Sequence, residues 1–186
     1  MAKRKPPAGA SGYDWIAEQL RPLAVEVGAL TPDPANARLH GARNLAALQA
    51  SLRRYGQRKP VVVRREGMIV TAGNGTLEAA KALGWTHVAA VLVDDDATTA
   101  TGYAIADNRT AELAEWDGAV LAQLLGALQA DEVPLEEVGF SDLELAALIP
   151  AGPDFTPQSG EGQQPLDKLA PAPCPHCGKD TREPPG

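Results

Sequence analysis

The sequence predicts an α/β (α+β) fold, a small mixed sheet with packed helices, and three observations lead to it. Between residues 53 and 94, short β-branched strands run into a helix whose start is flanked by glycines. On either side of that stretch, apolar residues recur at helical spacing. Beyond Pro150 the composition turns abruptly to Pro, Gly and Gln, which predicts a disordered tail over 151–186.

Taken in order, residues 1–12 carry Lys3, Arg4 and Lys5 among Pro and Gly without periodicity, and predict a flexible basic arm. No apolar run follows these basic residues, so they do not form a secretory signal. Residues 13–20 suggest a short helix, 23–27 a strand, and the Pro-rich 31–36 a turn. Asn44 is placed to cap a helix over 45–55, in which Leu45, Leu48 and Leu52 share one face. Arg53 and Arg54 suit the dipole at its C-terminal end, and Gly56 stops it. Val61, Val62 and Val63 form a strand, Glu66 and Gly67 a turn, and 68–71 a returning strand. At 72–76 the glycines allow unusual backbone angles, Asn74 or Thr76 can cap a helix over 77–83, and Gly84 closes it. Residues 87–93 read as a third strand.

The rest predicts helices. Asp94, Asp95 and Asp96 can cap one running from about Ala97 toward Trp116, with Tyr103 and Trp116 spaced to pack on it. A second starts near Asp117 and carries Val120, Leu121, Leu124, Leu125 and Leu128 on an amphipathic face. Ser141 and Glu144 have capping-box spacing for a last short helix. The organisation is therefore a basic arm (1–12), a domain (13–116), a C-terminal helical appendage (117–150) and a tail (151–186).

At 186 residues and 44% hydrophobic content, the chain is long enough for one good core. Aromatics are only 4%, so aliphatic side chains must do most of the packing. No apolar run approaches the roughly 20 residues of a membrane span. Two cysteines close together give no disulfide framework, and the expected setting is a reducing cytoplasm.

The net charge of −7 hides a segregated chain. Residues 38–65 hold eight Lys or Arg (Arg38, Arg43, Arg53, Arg54, Arg58, Lys59, Arg64, Arg65) and no acid, whereas 94–148 hold thirteen acids and a single cation, Arg109. Overall acidity argues against an unspecific nucleic-acid coat, while a local basic face beside a helix start suits phosphates. At such a strand-to-helix junction the free amides of residues 73–76 and the helix dipole favour an anion. The bland alternative is a tight turn that uses glycine for geometry alone.

The order of several short motifs resembles a known family. NAR at 36–38, YGQRKPVVVR at 55–64, TAGNGTLEAAKALGW at 71–85, VAAVLVD at 88–94 and ADNRTAELAEW at 106–116 resemble the ParB N-terminal domain, of the ParB/sulfiredoxin-like fold. The chain is most similar to the short version common in phages and mobile elements, often labelled a ParB-like nuclease domain. The match covers about half the chain. The resemblance implies a CTP-type triphosphate cradle in which Gly73 matches the loop glycine, while Asp107 and Asn108 match an acidic-amide pair that holds metal and phosphates. Asn74, Gly75 and Thr76 stand where the family has Glu-Arg-Arg, and Glu78 where another arginine is expected, which removes three cations from the cradle. Position 74 is not the cysteine that sulfiredoxin chemistry needs. Serine-kinase relatives place histidine around the loop, and in the sequence His40 and His87 lie away from it. The helix-turn-helix and dimerisation modules of partitioning proteins do not both fit into the 33 residues between Trp116 and Pro150.

The candidate site is thus Gly73, Asn74, Gly75, Thr76, Asn108 and Arg109 for a nucleoside triphosphate with Mg, and Asp107 as metal ligand and catalytic group. Arg38, Arg53, Arg54, Arg58, Lys59 and Arg64 are the candidate contacts to DNA. Cys174 and Cys177 form an isolated C-x-x-C, two of the four ligands tetrahedral zinc requires, and a free thiol pair is the simpler reading. The leading expectation is a DNA-associated protein with a nucleotide loop. A metal-dependent endonuclease using Asp94, Asp95, Asp96 and Asp107 is one alternative. The other is a non-catalytic module that meets a protein partner or a second copy through its helical appendage.

Overall fold

A computed structural model describes residues 13–149. Its centre is a five-stranded mixed sheet in the order β1-β5-β3-β4-β2. The strands are β1 (Ala24–Glu26), β2 (Thr31–Pro32), β3 (Val61–Arg64), β4 (Ile69–Ala72) and β5 (His87–Val93). β3 and β4 form the expected antiparallel hairpin around a 3-10 turn at Glu66–Met68. β5 lies parallel to β3, and the short edges β1 and β2 add antiparallel to β5 and parallel to β4. The period-2 pattern of β3 sends Val61 and Val63 into the core, where they meet Val70, Val88 and Ala90 from the sheet and Leu77 and Ala80 from helix α2 (Asn74–Ala82). Each such valine or leucine contributes roughly 1.5–3 kcal/mol by its burial.

Gln57 is the one long polar side chain sealed in this core, 1% exposed. Its amide accepts from Ala89 N (2.6 Å) and donates to Ala89 O (2.9 Å) and Lys59 O (3.1 Å), so a side chain completes the β5 ladder just before β3 begins. Nearby, Trp15 stacks on Trp85 and donates its indole N–H to His87 O at 2.9 Å.

Helix α1 (Ala42–Tyr55) packs on α2, and the long α3 (Ala97–Leu113) crosses near β4. Asp96 caps α3 by accepting from Thr99 N at 2.7 Å, as the aspartate run predicts, and this bond lowers its pKa. Helix α4 (Gly118–Ala130) is capped by Asp117, and α5 (Asp142–Leu148) by the predicted Ser141/Glu144 box. With a 3-10 turn at Leu135–Val138 they enclose a second small core of Leu121, Leu125, Leu135 and Leu145.

Several local expectations are corrected. Residues 13–17 are not helical, because Ile16 bridges Gln57 and is buried there; a 3-10 segment follows at Glu18–Leu23. Gly41, not Asn44, precedes the first turn of α1. Helix α3 stops at Leu113 and buries only Ala100, so Tyr103 and Trp116 do not pack together: Tyr103 is largely exposed, and Trp116, 73% exposed, rests edge-on against Phe140. On α4, Leu121 and Leu125 face inward while Val120 and Leu124 face out. No helix among the described residues is long and apolar enough to cross a membrane.

Candidate functional site

Strand β4 leaves the core at Ala72 and turns through Gly73 into α2. Gly73 has φ +94°, and a Cβ there would sit 2.7 Å from Val61 Cγ1, so this corner requires glycine for both conformation and space. Gly73, rather than Asn74 or Thr76, is the N-cap, and no side chain caps the helix. The first intrahelical bond runs from Leu77 N to Gly73 O at 3.0 Å, which leaves the N–H groups of Asn74, Gly75 and Thr76 without backbone acceptors among the described residues.

The Asn74 side chain serves another purpose. Its Nδ2 donates to Val70 O (2.8 Å) and its Oδ1 accepts from Asp33 N (3.0 Å), which fastens the loop after β2 to the start of α2. Asp33 and Asn36 order that loop by local bonds to Ala35 N, Arg38 N and Arg38 O. It delivers Arg38 and His40 to the mouth of α2.

His40 is the residue that sequence reading missed. Far from lying away from the loop, its ring rests so close to Gly75 that a Cβ there would be 2.6 Å from Cε1 and 2.8 Å from Nδ1. Asn44 Oδ1, 2.8 Å from His40 Nδ1, orients the ring. A second glycine just after Gly73, at the start of a helix that favours other residues, was the available signal, because it is consistent with close approach by another group.

These residues enclose a cleft of about 190 Å³, with Arg38, His40 and Asn44 on one wall, Asp107 and Asn108 on the other and residues 71–76 as its floor. Asn36, Arg38 and Asn108 are shared with a more apolar lobe of about 260 Å³, walled by Ala35, Ala104 and Ile105. A third recess of about 120 Å³ opens on the far side of Gly73 and Thr76, between Lys59, Tyr103 and Asp107. Asp107 and Asn108 thus reach the loop; Arg109 instead lines the second lobe and bonds Glu112 at 3.4 Å. Glu112 also pairs with Arg38 across the cleft.

The carboxylates invoked for a nuclease do not converge. Asp94 pairs with Arg65 at 2.8 Å, Asp96 is engaged as a cap, and Asp107 lies three helical turns further on, about 16 Å along the axis. No group of three or more His, Cys, Asp or Glu is positioned around one metal among the described residues. Cys174 and Cys177 lie outside those residues. A nucleotide-bound Mg ion makes a smaller demand, one or two carboxylates plus phosphate oxygens and water, and of the carboxylates named above Asp107, beside Asn108, is the one that lines the cleft.

The expected basic face is partly neutralised from within. Arg38, Arg43, Arg54 and Arg65 pair with Glu112, Glu144, Glu137 and Asp94, all from the acidic half, and Arg64 lies 3.7 Å from Glu66. Arg53 bonds Gln49 and Arg58 bonds Tyr55 O; with Lys59 they have no acidic partner within 4.0 Å among the described residues. Arg43 and Ser141 together hold the Glu144 carboxyl at about 2.

The fold and cleft define a mixed α/β domain with unpartnered backbone amides at a strand-to-helix junction. No protein-family model and no curated protein matches the chain. Among solved structures, the C-terminally truncated chromosome-partitioning protein ParB from Caulobacter crescentus, complexed with CTP-γ-S, aligns with a TM-score of 0.57 and 20% identity over 67% of this chain and 74% of that one. The same protein complexed to the centromeric parS site aligns at 0.40, with 18% identity over 67% and 68% of the two chains. A Pnob8-like ParB-N domain also aligns at 0.40, with 20% identity over 59% and 47%. The chain has a ParB-N-like fold.

Proposed function

We propose that this is a ParB-like, nucleic-acid-associated protein of a phage or mobile element whose cleft holds the phosphates of a nucleotide. The observation that carries this reading is the trio of unpartnered amides at Asn74, Gly75 and Thr76, opening onto a two-lobed cleft with Arg38 on its wall. The small polar lobe suits phosphates and the more apolar lobe a nucleoside. Arg38 supplies positive charge in place of the missing loop arginines, and Asp107 with Asn108 would hold Mg against the phosphates. The shared fold of a ParB crystallised with CTP-γ-S supports the nucleotide class. DNA is the proposed partner, through Arg53, Arg58 and Lys59 first, since these carry no competing acid.

Isothermal titration of CTP, ATP and GTP with and without Mg tests this. One nucleotide should bind, more tightly with Mg, and Asp107→Ala should abolish the Mg dependence. Absence of heat with all three overturns the reading. A second reading, a protein-interaction module, draws support from Val120 and Leu124, which stand exposed on the appendage, and from exposed Trp116 just before it. It predicts that the protein neither binds nucleotide nor shows salt-dependent DNA affinity.

A further inference from the structure

Helix α1 presents two faces. Asn44, Leu48 and Leu52 turn toward α2 and the cleft, whereas Arg43, Ala47, Ala50 and Arg54, spaced four, three and four apart, form a separate stripe. The turn between α4 and α5 lies over that stripe. Gly139, at φ +86°, lies beside it: a Cβ added there would be in ordinary contact with Ala47 Cβ, at 3.9 Å. On either side of it, Glu137 pairs with Arg54 at 2.6 Å and Glu144 pairs with Arg43. The appendage keeps its own core of Leu121, Leu125, Leu135 and Leu145, distinct from the core under the sheet.

We propose that the appendage is a displaceable acidic cover: Glu137 and Glu144 occupy, on Arg43 and Arg54, the positions that phosphates of a duplex DNA backbone take when DNA binds. The two arginines are eleven residues apart on one helix face, about 16 Å, a span over which a duplex backbone presents more than one phosphate to each face. Each cover contact is a solvent-exposed pair, a class that contributes little and exchanges readily. A polyanion gains counterion release that a carboxylate cannot offer, so it competes well for such arginines. Because the appendage holds its own core, it can leave α1 without unfolding. The inference rests on the DNA reading above and adds to it Arg43 and an internal competitor.

The test uses the full chain and the double variant Glu137→Gln, Glu144→Gln; glutamine keeps the capping box at 144, so α5 stays intact. Binding of a fluorescein-labelled 20-base-pair random duplex is followed by anisotropy at 50 to 300 mM salt. The double variant should bind about fivefold tighter. Adding Arg43→Gln and Arg54→Gln should remove that gain and reduce the salt slope of log K by roughly 2. Equal affinity of wild type and double variant overturns the cover while the DNA reading stands. No binding by either protein at 50 mM salt overturns both.

Discussion

Replacing the two loop glycines one at a time separates fold from site. At Gly73, an alanine must adopt φ +94°, which costs about 1–2 kcal/mol for an L-residue, and its methyl would meet the buried Val61 at 2.7 Å, an overpacking term of about 1–3 kcal/mol. Gly73→Ala should therefore lose about 2–5 kcal/mol, a large share of the 5–15 kcal/mol typical of a domain. Gly75 has no positive φ, and alanine there gains about 1 kcal/mol in helix propensity. Its methyl collides with the His40 ring and Leu48 Cδ1 (2.9 Å), and the His40 side chain can swing away at modest cost. Gly75→Ala should unfold within about 2 kcal/mol of wild type and yet bind nucleotide at least about tenfold more weakly, a 1.4 kcal/mol effect, because the methyl and the displaced ring intrude on the amides. Guanidinium melts paired with calorimetric titration read both quantities. Undiminished nucleotide affinity in Gly75→Ala, or wild-type stability in Gly73→Ala, would refute the reasoning.

Three further outcomes follow from the same geometry. Gln57→Leu orphans the Ala89 N–H and C=O inside the core and should destabilise by about 2–4 kcal/mol in a denaturant melt; a loss under 1 kcal/mol would mean that the ladder bonds are replaced. Glu112→Gln frees Arg38 from its carboxylate and should raise nucleotide affinity several-fold, whereas a lower affinity would make Glu112 a support for Arg38 rather than a competitor. Glu144, with its folded pKa depressed to about 2 by Arg43 and then Ser141, stabilises the appendage fully above its unfolded value of about 4.3, and that contribution is lost as pH falls from there toward 2. The difference in thermal midpoint between wild type and Glu144→Gln should accordingly shrink across that window; a constant difference contradicts the assignment.

What could be read from sequence was whatever short-range chemistry controls. The hairpin of Val61–Arg64 and Ile69–Ala72, the glycine corner at 73 and the strand His87–Val93 follow from β-branched runs and turn residues a few positions apart. The caps at Asp96, Asp117 and Ser141 follow from side chains that bond amides two or three residues on. Long-range contacts were not legible. His40 reaches Gly75 across 35 positions because Asn74 anchors, at Asp33, the loop that leads into His40, and Gln57 looks like a surface residue until Ala89 is brought beside it. Charge segregation was visible, but its pairing was not: basic and acidic halves that suggest an open basic face instead meet at Arg38–Glu112, Arg43–Glu144 and Arg54–Glu137.

The central claim is that the start of α2 holds phosphate through its backbone. Amide chemical shifts of ¹⁵N-labelled protein during titration with the nucleotide that binds, or with CTP, test it most directly. The account predicts that the Gly75 and Thr76 N–H resonances move furthest, together with Arg38 and Asn108 and ahead of residues on the exposed α1 face. Saturable shifts confined to other parts of the molecule, with Gly75 and Thr76 unmoved, would contradict it.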